Sequence, residues 1–210
     1  MRIRLTFSKQ GALRYTGHLD LHTLLERAAR RANLPLAYSQ GFHPTPKIQL
    51  ASALPLGFSS RAELMDIWLT TEDFEVSRLR SDLQAALPRD IQILDIHIVD
   101  DRAPALQTQL VAAEYEADIP EEHASNLTSR LAALSEAESL PRERRGKAYD
   151  LKPLIESLEA APADGSAQTR VFMRLAARDG ATGRPEEVLS ALDIPPEDVR
   201  VERTRLIFQG

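Results

Sequence analysis

The spacing of apolar residues runs through one order of periods, breaks, and then runs through it again; this repeat constrains the fold more than any single motif. Arg2 to Ser8 alternates apolar and polar residues, the two-residue period of a half-buried strand. From His18 to Ala32 the period becomes helical, with Leu21, Leu24, Leu25, Ala28, Ala29 and Ala32 supplying the apolar contacts. Lys47 to Ser52 and Glu63 to Thr70 read as strands, Phe74 to Leu87 as a helix through Val76, Leu79, Leu83 and Leu87, and Ile91 to Val99 as a final strand. The turn-rich Asp100-Asp101-Arg102-Ala103-Pro104 ends the series. It restarts with a strand at Leu110 to Asp118 and a helix running from Pro120, with Glu121 and Glu122 in its first turn, to about Ala137. Arg142 to Lys152 is basic and irregular, and Leu151 to Ala160 reads as an extra helix opened at Pro153 and broken by 161–166. Strands at Thr169 to Ala177 and Val199 to Gln209 flank a helix near Pro185 to Leu192.

Each half therefore follows β-α-β-β-α-β, the split βαβ order in which two helices cover one face of an antiparallel sheet. The expectation is an α+β chain of two tandem ferredoxin-like domains, 1–101 and 106–210. A chain of 210 residues, 43% of them hydrophobic, is long enough for two such cores. Strand parity then assigns faces. With Ile3, Leu5, Phe7, Met65, Ile67 and Leu69 toward the helices, Arg2, Arg4, Asp66 and Trp68 point to the opposite face, expected to be open. Arg4 and the only Trp would make a platform for stacking a base. The alternative is that Asp66 pairs with Arg4 and Trp68 packs against the second domain.

Cysteine is absent, so this chain holds no thiolate-ligated iron–sulfur cluster, no Cys-type zinc site and no disulfide. Met1 to Phe7 alternates where a signal peptide would need a long apolar core, and no run approaches membrane-spanning length. The expectation is a cytoplasmic protein with no membrane partner. Net charge is −5, unevenly spread: residues 1 to 48 hold eight Lys/Arg against two acids, a local +6. Such asymmetry fits a polyanionic partner as well as a solvated face.

The loop from Tyr38 to Gly57 is the chain's most unusual stretch. Pro44, Pro46 and Pro55, with Pro35 upstream, fix the backbone, Gly41 and Gly57 free it, and Phe42, His43 and Lys47 are displayed between them. Arg14, Arg27, Arg30 and Arg31 join Lys47 as a candidate anion cradle, because guanidinium groups bind phosphate bidentately. Tyr15, Tyr38 and Phe42 interleave with these cations, as in nucleic-acid-binding surfaces. His18, His22 and Glu26 recur at four-residue spacing on one helix face, a low-specificity pattern for a metal site; ordinary helix capping and solvent exposure explain the same residues. His43 is the candidate acid–base catalyst for an enzyme acting on RNA or a phosphorylated small molecule, with His18 or a bound metal. No P-loop, nucleophile elbow, H-E-x-x-H or dinucleotide fingerprint accompanies it.

Ser39-Gln40-Gly41-Phe42-His43-Pro44-x-Pro46-Lys47-Ile48, followed by Ala53-Leu54-Pro55-Leu56-Gly57, resembles the signature of the bacterial radical SAM-linked protein family, whose own function is unknown. Arg14-Tyr15-x-Gly17-His18-Leu19-Asp20 upstream and Glu63-x-x-Asp66-Ile67 downstream fit the same pattern. The resemblance implies a protein found beside, or fused to, B12-binding radical SAM proteins. It brings no cofactor to this chain; the partner would carry the iron–sulfur cluster, SAM and cobalamin. Together with the charge pattern it leads to the expectation of a non-catalytic, RNA-binding or substrate-presenting accessory protein. The sites assigned to binding are Arg4, Arg14, Tyr15, Arg27, Arg30, Arg31, Phe42, His43, Lys47 and Trp68.

Overall fold

A computed structural model describes residues 1–71, 75–144, 146–163 and 169–209. The expected helix start at Phe74, the basic Arg145 and the second half of the expected break at 161–166 lie outside these residues. The chain is mixed α+β and divides into two compact units, Met1–Gln109 and Leu110–Gly210.

The first unit contains β1 (Arg2–Lys9), α1 (His18–Arg31), β2 (Ile48–Leu50), β3 (Ser59–Trp68), α2 (Val76–Ala86), β4 (Ile91–Val99) and the single-turn α3 (Leu106–Gln109). Both β3 and β4 pair antiparallel with β1, and β2 pairs antiparallel with β3, giving the order β4-β1-β3-β2. Alternation places Ile3, Leu5 and Phe7 beside Met65 and Ile67, under Leu21, Leu25, Ala28 and Ala29 of α1 and Leu79 and Leu83 of α2. This is the core that the two periodicities anticipate.

The opposite face departs from expectation. Arg2 is 1% exposed and Asp66 0%, so this part of the sheet is covered. At Arg2 the end of the same unit meets this face: its guanidinium donates to the carbonyls of Ala103 (2.7 Å) and Pro104 (3.1 Å). Gln49 of β2 accepts from the Leu106 amide at 3.1 Å, and Gln107 donates to the Leu50 carbonyl at 3.0 Å. A stretch expected to be a linker is thus tied down by strand side chains.

The second unit contains β5 (Leu110–Ile119), α4 (Leu127–Glu136), β6 (Pro141–Arg144), β7 (Lys147–Asp150), β8 (Ile155–Pro162), β9 (Thr169–Arg178), β10 (Ala181–Thr182), α5 (Pro185–Ala191) and β11 (Arg200–Phe208). β5 lies between β11 and β9, and β8 and β10 pair with β9; every pairing is antiparallel. Two sequence expectations fail here. The helix from Pro120 to Ala137 is a 3-10 turn at Glu121–His123 and then α4, because Asn126 sits at φ 55° in the left-handed region, which a right-handed helix cannot pass through. Leu151 to Ala160 is not helical: after a 3-10 turn at Lys152–Leu154 the chain extends as β8 and pairs with β9 from Ile155↔Leu175 to Pro162↔Thr169. That ladder supplies the backbone hydrogen bonds a helix would have made internally. The irregular basic stretch before it is the β6–β7 hairpin.

Candidate functional site

The segment between α1 and β2 is a braced hairpin projecting from the first unit. Tyr38 and Pro46 form an isolated antiparallel bridge, the Ser39 amide donates to the Thr45 carbonyl (2.8 Å), and the Lys47 amide donates to the Ala37 carbonyl (2.8 Å). Side chains reinforce the neck, since the Thr45 amide donates to Ser39 Oγ at 3.0 Å and the two hydroxyls lie 3.2 Å apart. The base is anchored to the end of β3: Ala37 N–H donates to the Trp68 carbonyl (2.8 Å) and Trp68 N–H to the Lys47 carbonyl (3.0 Å). At the tip Gly41 has φ 130°, a conformation that L-side chains rarely adopt. Beyond that bend Phe42 is wholly exposed, at 102%, and His43 is exposed beside it. The Phe42 ring thus contributes no burial to this unit.

Cations accompany the rings. Arg14 lies over Tyr15, its Cζ 4.7 Å from the ring centroid, and donates to the Tyr15 hydroxyl at 2.7 Å. Arg30 lies 5.4 Å from the Tyr38 centroid and donates to its hydroxyl at 3.0 Å. Trp68 meets two cations, Arg2 Cζ at 4.8 Å and Lys47 Nζ at 5.3 Å. Arg2 is fixed there by Asp66, whose Oδ2 accepts from both its Nε (2.9 Å) and its Nη2. Asp66 also accepts from Arg4 Nε at 2.8 Å and Nη2 at 3.1 Å. A single buried carboxylate thus orders two guanidinium groups, one of which lies against Trp68.

The structure sorts the candidates. Phe42, His43 and Lys47 belong to the hairpin, and Trp68 joins them through its backbone and through Lys47. Arg14 and Tyr15 flank the other end of the long loop, where the Gly57 amide donates to the Arg14 carbonyl at 2.9 Å. The single anion cradle does not form. Arg14 precedes α1 and Arg31 ends it, and a 14-residue helix separates its ends by roughly 20 Å. Arg31 donates to the Ala86 carbonyl at the end of α2 (2.6 Å), Arg30 pairs with Glu26 (2.9 Å), and Arg27 is exposed. Arg4 is committed to Asp66. Of the metal candidates, Glu26 is held by Arg30 and His22 Nε2 lies 3.3 Å from the Ile48 carbonyl, while His18 starts α1. Among the described residues no group of three or more His, Asp or Glu is placed to hold a metal ion.

Leu19 (79% exposed) and Leu56 (64%) are not among the residues assigned to binding above, yet they add apolar surface: Leu19 follows Tyr15 in the chain, and Leu56 precedes Gly57, whose amide bonds the Arg14 carbonyl. Leu19 carried a signal, because it falls outside the buried set Leu21, Leu25, Ala28 and Ala29 of α1. Leu56 carried none, being one more apolar residue in a proline-rich loop.

A family model described as "uncharacterized protein conserved in bacteria (DUF2344)" matches residues 2–185, all of the first unit but Met1 and most of the second. The chain belongs to this family. Its description names no reaction, and no curated protein matches the chain. The matched span contains the hairpin, the Arg14–Tyr15 pair and the Arg2–Asp66–Arg4 cluster. Nothing in that description links the family to radical SAM proteins.

Proposed function

We propose that this protein is a non-catalytic accessory protein that binds single-stranded RNA through its first unit and presents it to a radical SAM enzyme. The observation that carries the RNA reading is Phe42, a bare ring on a hairpin braced by Ser39, Thr45 and the Trp68 backbone. A rigid exposed ring offers a stacking surface to any base without an ordering cost at the moment of binding. The ring–cation pairs Arg14–Tyr15, Arg30–Tyr38 and Lys47–Trp68 repeat the combination that tracks a base and its phosphate together. The local +6 over residues 1–48 favours a polyanion despite the acidic chain as a whole. The radical SAM partner, bearing iron–sulfur cluster, SAM and cobalamin, rests on the resemblance of the 39–57 and 14–20 motifs. The strand orders β4-β1-β3-β2 and β11-β5-β9-β8 support reading each unit as ferredoxin-like, with the hairpin grafted between α1 and β2 of the first.

Fluorescence anisotropy with a labelled single-stranded RNA at low ionic strength tests the reading. Phe42→Ala should weaken binding by about 1–3 kcal/mol, the usual worth of one stacked base. Lys47→Ala should weaken it less and reduce the salt slope by about 0.7. Absence of binding by the wild type, or unchanged affinity in Phe42→Ala, rejects RNA as the ligand. Crosslinking with mass spectrometry from a native host tests the enzyme partner separately, since recovery without a radical SAM protein removes that half of the proposal.

A further inference from the structure

The second unit contains a cavity of about 600 Å³ between the β6–β7 hairpin and the β9–β10 turn, lined by Arg144, Lys147, Tyr149, Asp150, Thr182 and Arg184. Its size falls in the range of small-ligand sites. We propose that this cavity binds a phosphate group, carried by a small phosphorylated molecule, through Arg144, Lys147 and Arg184.

Three cations line the cavity against one carboxylate, and that carboxylate also braces the hairpin. Asp150 Oδ1 accepts from the Leu140 amide at 2.7 Å and the Lys152 amide at 2.9 Å, so it serves as a backbone clamp at the base of the hairpin. These hydrogen bonds hold its pKa below the usual carboxylate value and keep it ionised, so the lining as a whole carries three positive charges against one negative. Arg184 donates to Glu186 through Nη1 at 3.1 Å. Arg144 and Lys147 have no ion-pair partner among the described residues. Two cations outside any ion pair at the rim, with the fork-shaped Arg184 donor beside them and a net positive lining, suit the three oxygens of a phosphate better than a planar carboxylate.

Two further features shape the cavity. Tyr149 hydrogen-bonds Glu187, and burial followed by the Glu187 charge pushes its pKa up, so the phenol keeps its proton and stays neutral beside the cations. Gly183 allows the wall carrying Arg184 to approach: a Cβ there would lie 2.8 Å from the Leu154 carbonyl oxygen. This site is independent of the RNA surface, being built wholly within the second unit.

The test titrates pyrophosphate, a nucleoside 5′-monophosphate and acetate into the full chain by calorimetry. The phosphate-bearing probes should bind at submillimolar concentration and acetate should not. Arg144→Ala and Lys147→Ala, both in an exposed hairpin that can lose them without unfolding, should each raise Kd by about tenfold, the equivalent of one charge-assisted hydrogen bond. Phe42→Ala should leave the titration unchanged, which separates this site from the hairpin of the first unit. Displacement of pyrophosphate by an RNA oligonucleotide would assign the phosphate to a nucleic-acid backbone; lack of displacement assigns it to a small molecule. No binding of pyrophosphate at millimolar concentration, or an unchanged Kd in the Arg144→Ala/Lys147→Ala double variant, overturns the proposal.

Discussion

Replacing Asp66 by Asn is the most informative single change in the first unit. The side chain is 0% exposed and accepts four hydrogen bonds, two from Arg2 and two from Arg4, with Arg2 itself 1% exposed. Asparagine keeps the shape and turns one oxygen into an NH2 group, so in either orientation a donor faces guanidinium donors and both cations lose their counter-charge. Removing one partner of a buried ion pair costs about 3–5 kcal/mol. The Ala103 and Pro104 carbonyls still satisfy part of Arg2, and Arg4 keeps 13% of its side chain in water, so the lower end, about 3 kcal/mol, is expected. Trp68 is the chain's only tryptophan and touches Arg2, so its fluorescence reports on this unit alone. With a urea m-value of about 1.5 kcal/mol/M, typical of a small domain, the midpoint should fall by about 2 M. The triple variant Arg2→Met/Arg4→Met/Asp66→Leu, which removes both cations along with their shared carboxylate, should recover most of the loss, since burying an ion cluster gains little over burying apolar groups. An Asp66→Asn midpoint within about 0.5 M of wild type would refute the idea that this carboxylate organises the sheet face.

Four other outcomes follow from particular contacts. Phe42→Ala should change unfolding by less than about 0.5 kcal/mol, because a fully exposed ring contributes nothing to the core; a larger loss in urea melts would mean the hairpin folds back on the unit. Ser39→Ala should speed amide exchange at Thr45, whose N–H loses its side-chain acceptor, without shifting the Trp68 transition. Gly183→Ala should destabilise the second unit by about 1–3 kcal/mol in calorimetry, since the new methyl meets backbone and cannot be accommodated by a rotamer change. Asp150 has its folded pKa depressed below its unfolded value, so its contribution is present above about pH 4 and disappears as pH falls through the folded pKa. NMR of the β6–β7 amides in acid should register this, and Asp150→Asn should abolish the dependence.

How far these elements could be read from the sequence depended on whether local pattern and tertiary pairing agreed. Ile3, Leu5, Phe7, Leu21 and Leu25 follow clean periods because one face of each element is core, and the strand and helix they mark are where the pattern puts them. Leu151 to Ala160 misled because β8 is a largely exposed strand, so burial imposes no alternation on it, and only its ladder with β9 makes it extended. Asn126 carried a weak signal, since asparagine has low helix propensity and enters the left-handed region more readily than other side chains, but the apolar period on either side of it masks the break. At the candidate surface, Phe42 and His43 were legible because prolines and glycines have few other uses. The fate of Arg31 was not: its bond to Ala86 joins residues 55 apart in the chain, a proximity that no local pattern encodes.

The tether formed by residues 103–109 has a practical corollary. Cutting the chain at residue 101, where the strand pattern ends, would remove both carbonyls that Arg2 uses and the two backbone-to-Gln49 and Gln107-to-Leu50 links that hold β2. β2 is only three residues long and continues directly from the hairpin, so its loosening would reach Lys47 and Trp68. A fragment meant to isolate the hairpin surface should therefore extend through Gln109; one that stops at the end of β4 would keep every residue of the surface and lose the geometry that presents it.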